Sequence, residues 1–175
     1  AFYRERLLPV KNALKVFSVY RIGDVGIILA MWLLHHFWHH NVTFVEMNQT
    51  VTLHQHLAQN SSIGLIIAFL FYISAAAKSA QLPFSSWLPR AMEGPTPSSA
   101  IFYGSMSVHI GAFLLLRTLH FWENQFVFKL GLMIAGLLTA VIASVISRVQ
   151  GTVKSQIAYA SIAQIGLIFI EIAFG

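Results

Sequence analysis

The sequence predicts an all-α, polytopic transmembrane helix bundle, and three observations lead there. Hydrophobic residues make up 57% of the 175 residues and charged residues only 10%, where a soluble domain carries about 25% charged. Apolar runs approaching the length that crosses a hydrocarbon core recur along the whole chain. Five of the eleven Lys and Arg residues crowd into the first 21 positions (Arg4, Arg6, Lys11, Lys15 and Arg21), and the others stand singly between apolar runs. That distribution is the mark of a cytoplasmic flank rather than of a nucleic-acid face. The net charge of +5 is therefore read as membrane orientation, with the lipid bilayer as partner and no nucleic acid. The absence of cysteine excludes disulfides, thiol catalysis and cysteine-ligated metals. No phosphate-cradling glycine loop, nucleophile elbow or metal motif is present, so no catalytic residue, cofactor or metal is assigned.

The elements follow in order. Residues 1–15 read as an amphipathic approach at the interface, and residues 16–38 as the first span, closed by Trp and His side chains that suit the headgroup zone. His35, His36, His39 and His40 lie at this span end with no cysteine or carboxylate partner, and are read as interfacial rather than metal-binding. Residues 41–61 are polar, contain no Lys or Arg, and read as an exposed loop. A second apolar helix runs from Ser62 to about Ala80, breaks at Leu82–Pro83, and resumes as FSSWLPRAM before Gly94–Pro95. The third span covers about 97–117, with Thr96–Pro97 as cap and first-turn proline. The fourth covers 128–147 and the fifth 153–174, for about five spans, one of them broken. Short connections make neighbours antiparallel. The final IGLIFIEIAFG leads straight out of an apolar helix, so residues 1–175 are expected to be part of one transmembrane domain, a fragment whose preceding and following helices are missing.

Ionisable groups inside such segments are costly, and each needs a reason. Lys78 follows FLFYISAAA, where small residues allow close helix packing. Pro83 removes a helix donor and frees the carbonyl four residues earlier, Ser79. A broken helix carrying an amine at its break is a plausible ion-transfer site; the alternative is a lysine snorkelling from a helix end. Lys154 opens the last span, with Ser161 and Gln164 continuing a polar stripe that either holds water or anchors and bonds neighbouring helices. Arg21 and Asp24, three apart, share a helix face; the pair is either a movable counter-charge for a lysine or a structural pair. His109 is expected in mid-span on the face of Ser98 and Ser105, as a proton relay or a hydrogen-bonded structural histidine.

The run KSAQLPFSSWLPRAMEGPTPSSA, Lys78 to Ala100, resembles the proton-conducting membrane subunits of respiratory complex I, of the subunit L or chain 5 type. Cation-antiporter and inorganic-carbon transporter membrane subunits share the signature. The likeness continues in register through RIGDVG (Arg21–Gly26) and VKSQIAYASIAQIG (Val153–Gly166). It implies a fragment of an antiporter-like fold that moves protons through buried lysines and water. It also implies an energy-transducing membrane such as the bacterial inner membrane, and other membrane subunits of a multisubunit complex as partners. Lys78 then matches the lysine of the broken helix, Lys154 the lysine leading onward, and Arg21 and Asp24 the charged pair near a glutamate on a preceding helix. The expected role is that of a non-redox subunit of a translocase of the NADH:quinone oxidoreductase type. The alternatives are an ion-gradient-driven transporter subunit and a structural membrane scaffold. The family's histidine position is Tyr103 here, its acidic residue before the second lysine is Thr152, and the arginine after it is Ser155. Tyr103 and His109 are thus competing candidates for the relay between the lysines.

Overall fold

The structure, a computed structural model, describes residues 5–39, 42–43, 45, 61–101 and 106–175. The described residues form eight helices: α1 Leu7–Trp38, α2 Ser61–Lys78, α3 Trp87–Ala91, α4 Thr96–Ala100, α5 His109–Arg117, α6 Leu119–Trp122, α7 Phe126–Arg148 and α8 Val153–Phe174. Three of them, α1, α7 and α8, are long and apolar enough to cross a membrane, and α2 is a shorter apolar helix. The polar loop expected at 41–61 lies almost wholly outside the described residues.

Two boundaries differ from expectation for physical reasons. The interfacial approach and the first span are one continuous helix of 32 residues. Pro9 falls in the first turn, where its missing N–H has no intrahelical partner to lose, so nothing stops the helix before Val16. The expected third span is not a single helix. The helix α4 ends at Ala100, and Met106–Val108 form a bend and turn before α5 begins at His109. That turn is held from outside: the Ser79 hydroxyl donates to the Val108 carbonyl at 2.5 Å, and the Ser107 hydroxyl bonds the Tyr20 hydroxyl.

The helix break is built the same way. Backbone polar groups freed inside a membrane protein must find protein partners, and here they do. The end of α2 is closed by Ala80 in the left-handed region, at φ 53°, with the Gln81 N–H returning to the Ala76 carbonyl at 2.9 Å, a Schellman-type stop. Tyr72 donates to the Leu82 carbonyl at 2.9 Å, the Leu82 N–H donates to Thr139 of α7 at 3.2 Å, and the Trp87 indole donates to the Ala77 carbonyl at 2.9 Å. The chain therefore leaves the helix immediately after Lys78, and Pro83 lies within the irregular stretch 79–86 rather than at its start.

Around this stretch, α1 packs along α2, α5 and α7 also touch α2, and α3 sits between α1 and α8. The helices α7 and α8 form a closely packed antiparallel hairpin. At its crossing Gly136 faces Gly166, and a Cβ on either would come within 2.8 Å or less of the other's carbonyl oxygen. Backbones this close require glycine on both sides. Trp87, Phe121, Trp122 and Phe169 fill the buried core between these layers.

Candidate functional site

The face of α1 that meets the end of α2 carries Tyr20, Arg21, Gly23 and Asp24. Spacings of three and four residues bring Tyr20, Arg21 and Asp24 together. Gly23 sits against α2: a Cβ there would meet the Ala77 Cβ at 3.1 Å and the Lys78 Cε at 3.5 Å. The missing side chain lets α1 approach closely enough for the lysine to reach across.

Asp24 is the hub of the resulting cluster. Its Oδ1 accepts from the Lys78 ammonium at 2.5 Å, and its Oδ2 faces the Arg21 guanidinium at 3.4 Å. The side chains of Lys78, Asp24 and Arg21 are 18%, 35% and 64% exposed, so the lysine is the sequestered member. Exposed pairs of the Arg21–Asp24 kind contribute about 0.2–1 kcal/mol, whereas the shorter, more shielded contact to Lys78 is stronger. The carboxylate is consequently held by the lysine, with the arginine as a weaker competitor. Two cations and one anion leave the cluster net positive. Beneath it, the Lys78 ammonium lies 4.5 Å from the centroid of the Tyr20 ring, a cation–π contact, and Tyr20 meets Trp87 of α3 edge-on at 5.0 Å.

Lys154 stands apart from this cluster, at the start of α8. It is half-buried, and its ammonium donates to the Gly94 carbonyl at 3.2 Å. The stripe along α8 is less directed than its spacing suggests: Ser161 donates to the Ile157 carbonyl of its own helix at 3.0 Å, and Gln164 is exposed. Thr152 and Ser155 form the N-cap of α8, with the Thr152 Oγ1 accepting from the Ser155 N–H at 3.3 Å and donating to its Oγ at 2.8 Å. The two positions where the resembled family has charged groups thus carry a neutral hydroxyl pair that caps the helix.

The structure brings Lys78, Asp24 and Arg21 together and places Lys154 apart from them. Pro83 stands in the break, and the Ser79 carbonyl accepts from Gln81 Nε2 at 3.3 Å; the lysine turns to Asp24 instead. His109 is exposed at the start of α5, because the helix that was to align it with Ser98 is interrupted. Ser98 itself donates to Pro95 at 2.8 Å. Tyr103 and Ser105 lie outside the described residues. Sequence reasoning missed Tyr20, Ser107 and Glu93. Tyr20 could have been found from its four-residue spacing to Asp24; Ser107 carried no signal.

A cleft of about 800 Å³ opens beside the cluster, lined by Tyr20, Arg21, Asp24, Arg90 and Glu93 among others. A second, of about 670 Å³, is lined by Arg6, Glu93, Gly94 and Lys154.

The described residues define a multi-helix, membrane-spanning chain with a lysine–carboxylate–arginine cluster at a helix break. Residues 1–175 match the transmembrane family described as NADH:quinone oxidoreductase/Mrp antiporter, TM, and the chain belongs to that family as a multi-pass integral membrane protein. It is 38% identical over 167 residues to NADH-ubiquinone oxidoreductase chain 5 of Metridium senile, covering 94% of this chain and 26% of that protein. It is 33% identical over 178 residues to NADH-quinone oxidoreductase subunit L of Rhodobacter capsulatus, covering 99% of this chain and 25% of the relative. Among solved structures, the Mrp complex from Dietzia sp. DQ12-45-1b superposes with a TM-score of 0.86 at 27% identity, over 99% of this chain and 19% of that one. The chain spans about a quarter of the length of these curated relatives.

Proposed function

We propose that this chain is the core of a proton-translocating membrane subunit, similar to subunit L or chain 5 of an NADH:quinone oxidoreductase, working with other membrane subunits in an energy-transducing membrane. The observation that carries the reading is Asp24, which offers one carboxylate oxygen to Lys78 at 2.5 Å and the other to Arg21 at 3.4 Å. With Asp24 against it, the lysine holds its proton as an ammonium. When the carboxylate shifts toward Arg21, the ammonium loses its counter-charge, and a mostly buried charge without a partner is costly to keep. Alternation between the two partners is a switch for loading and releasing a proton. Water in the flanking clefts carries the proton to and from the amine, and redox energy reaches the switch from partner subunits.

The match to an Mrp complex supports a second reading, a subunit of a cation/proton antiporter in which the same switch exchanges ions. Co-purified subunits separate the two: quinone-reducing partners support the first, and a complex without them the second. The switch itself is tested by Lys78→Ala in the full-length parent complex reconstituted into vesicles. Proton transport is expected to stop while complex yield is retained. Unchanged transport would return the cluster to a purely structural role.

A further inference from the structure

We infer that Glu93 is a proton-carrying carboxyl linking the Lys78 cluster to Lys154, an inference that rests on the translocation reading above. Four observations converge on it. Glu93 lines both clefts, the one bounded by Asp24 and Arg21 and the one bounded by Lys154. Its Oε1 accepts from the Asn12 amide at 2.7 Å, so the side chain is tethered to α1 and not swept into solvent. Its Oε2 is buried and has no hydrogen-bond partner among the described residues. The next residue, Gly94, receives the Lys154 ammonium on its carbonyl at 3.2 Å.

A buried carboxyl oxygen without a donor is expensive to keep, and water entering the cleft lined by Arg6, Thr96 and Lys154 would supply one. One tethered oxygen and one facing the clefts is the arrangement a relay needs: the first fixes position, the second takes the proton. The step balances simply. A proton released by the Lys78 ammonium passes through water in the first cleft to the Glu93 carboxylate, giving a neutral carboxylic acid. That acid then loses the proton across the second cleft to a neutral Lys154 amine, and the carboxylate is restored. The charged and titratable groups facing this path are Arg21, Asp24 and Arg90 on one side and Arg6 and Lys154 on the other, with Asn12 the neutral tether.

The test uses Glu93→Gln and Asn12→Asp in the full-length complex in vesicles, beside Lys78→Ala. Glutamine keeps the bond to Asn12 and cannot carry a proton, so a tether alone would survive it. Glu93→Gln is expected to slow proton transport on the order of a hundredfold at normal complex yield. Asn12→Asp sets a second carboxyl against the first, and the pH profile of transport is expected to move to the alkaline side by about one unit. Transport within about twofold of the parent in Glu93→Gln, or an unmoved pH profile in Asn12→Asp, overturns the inference. Should Glu93→Gln fail to assemble, the Asn12→Asp profile decides alone. If Lys78→Ala stops transport in the same series, only the role of Glu93 falls; if Lys78→Ala is also inert, the translocation reading falls with it.

Discussion

Asp24 must hold a negative charge at a place where two cations compete for it, and that demand sets its tolerance to change. Asp24→Asn keeps the shape, removes the charge and leaves Lys78 facing Arg21 without an intermediary. Transport is expected to fall far more than complex yield, because the half-exposed position lets water soften the cost of the unpaired lysine. Measuring both in the same preparation checks this, and equal losses would mean a structural pair. Tyr20 makes a finer case. Tyr20→Phe keeps the ring under the ammonium and removes only the bond to Ser107, a loss of about 0.5–1.5 kcal/mol, so thermal stability should drop slightly with transport nearly intact. The three charged members were legible in the sequence because a charge in an apolar run stands out. Their meeting was not: Lys78 and Asp24 are 54 positions apart, and no spacing rule spans that distance. Tyr20 was overlooked because an aromatic in an apolar helix is unremarkable by composition.

Among the elements, the contact between α1 and α2 depends on what is absent at Gly23. Gly23→Val would press branched carbon against the Ala77 Cβ, where even a single methyl already falls at 3.1 Å. Overpacking of this kind costs about 1–3 kcal/mol. The expected outcome is a complex that assembles with a lowered melting temperature and transports poorly, since the lysine no longer reaches Asp24. A melting temperature equal to the parent's would show that α1 and α2 can separate at no cost. The existence of the break was readable from the proline, but its location was not. Proline marks where a helix cannot continue, whereas the actual stop is set before it, by Ala80 and the Gln81 N–H, a choice of backbone conformation that an alanine does not advertise. The interruption between α4 and α5 was hidden for a similar reason: its partners, Tyr20 and Ser79, come from α1 and from the break after α2.

Across the whole molecule, one cleft opens beside the Lys78 cluster and another beside Lys154, and the two share Glu93 and Gly94. Sites in series on one route are not independent. Glu93→Gln and Lys154→Ala together should therefore slow transport no more than the more damaging of the two alone; a multiplied loss would mean two separate routes. Fold class, family and the broken helix were all present in the sequence as hydropathy and motif, while the clefts arise only when α1, the break and α8 meet. The Schellman turn at Ala80 has a last consequence for the membrane around the protein. Because the lysine-bearing helix is closed from its C-terminal side by bonds to α7 and to α2 itself, the amine takes its level from the protein interior. A bilayer a few ångströms thicker or thinner is accommodated by tilt and by the far helix ends. The depth of the Lys78 amine stays where it is.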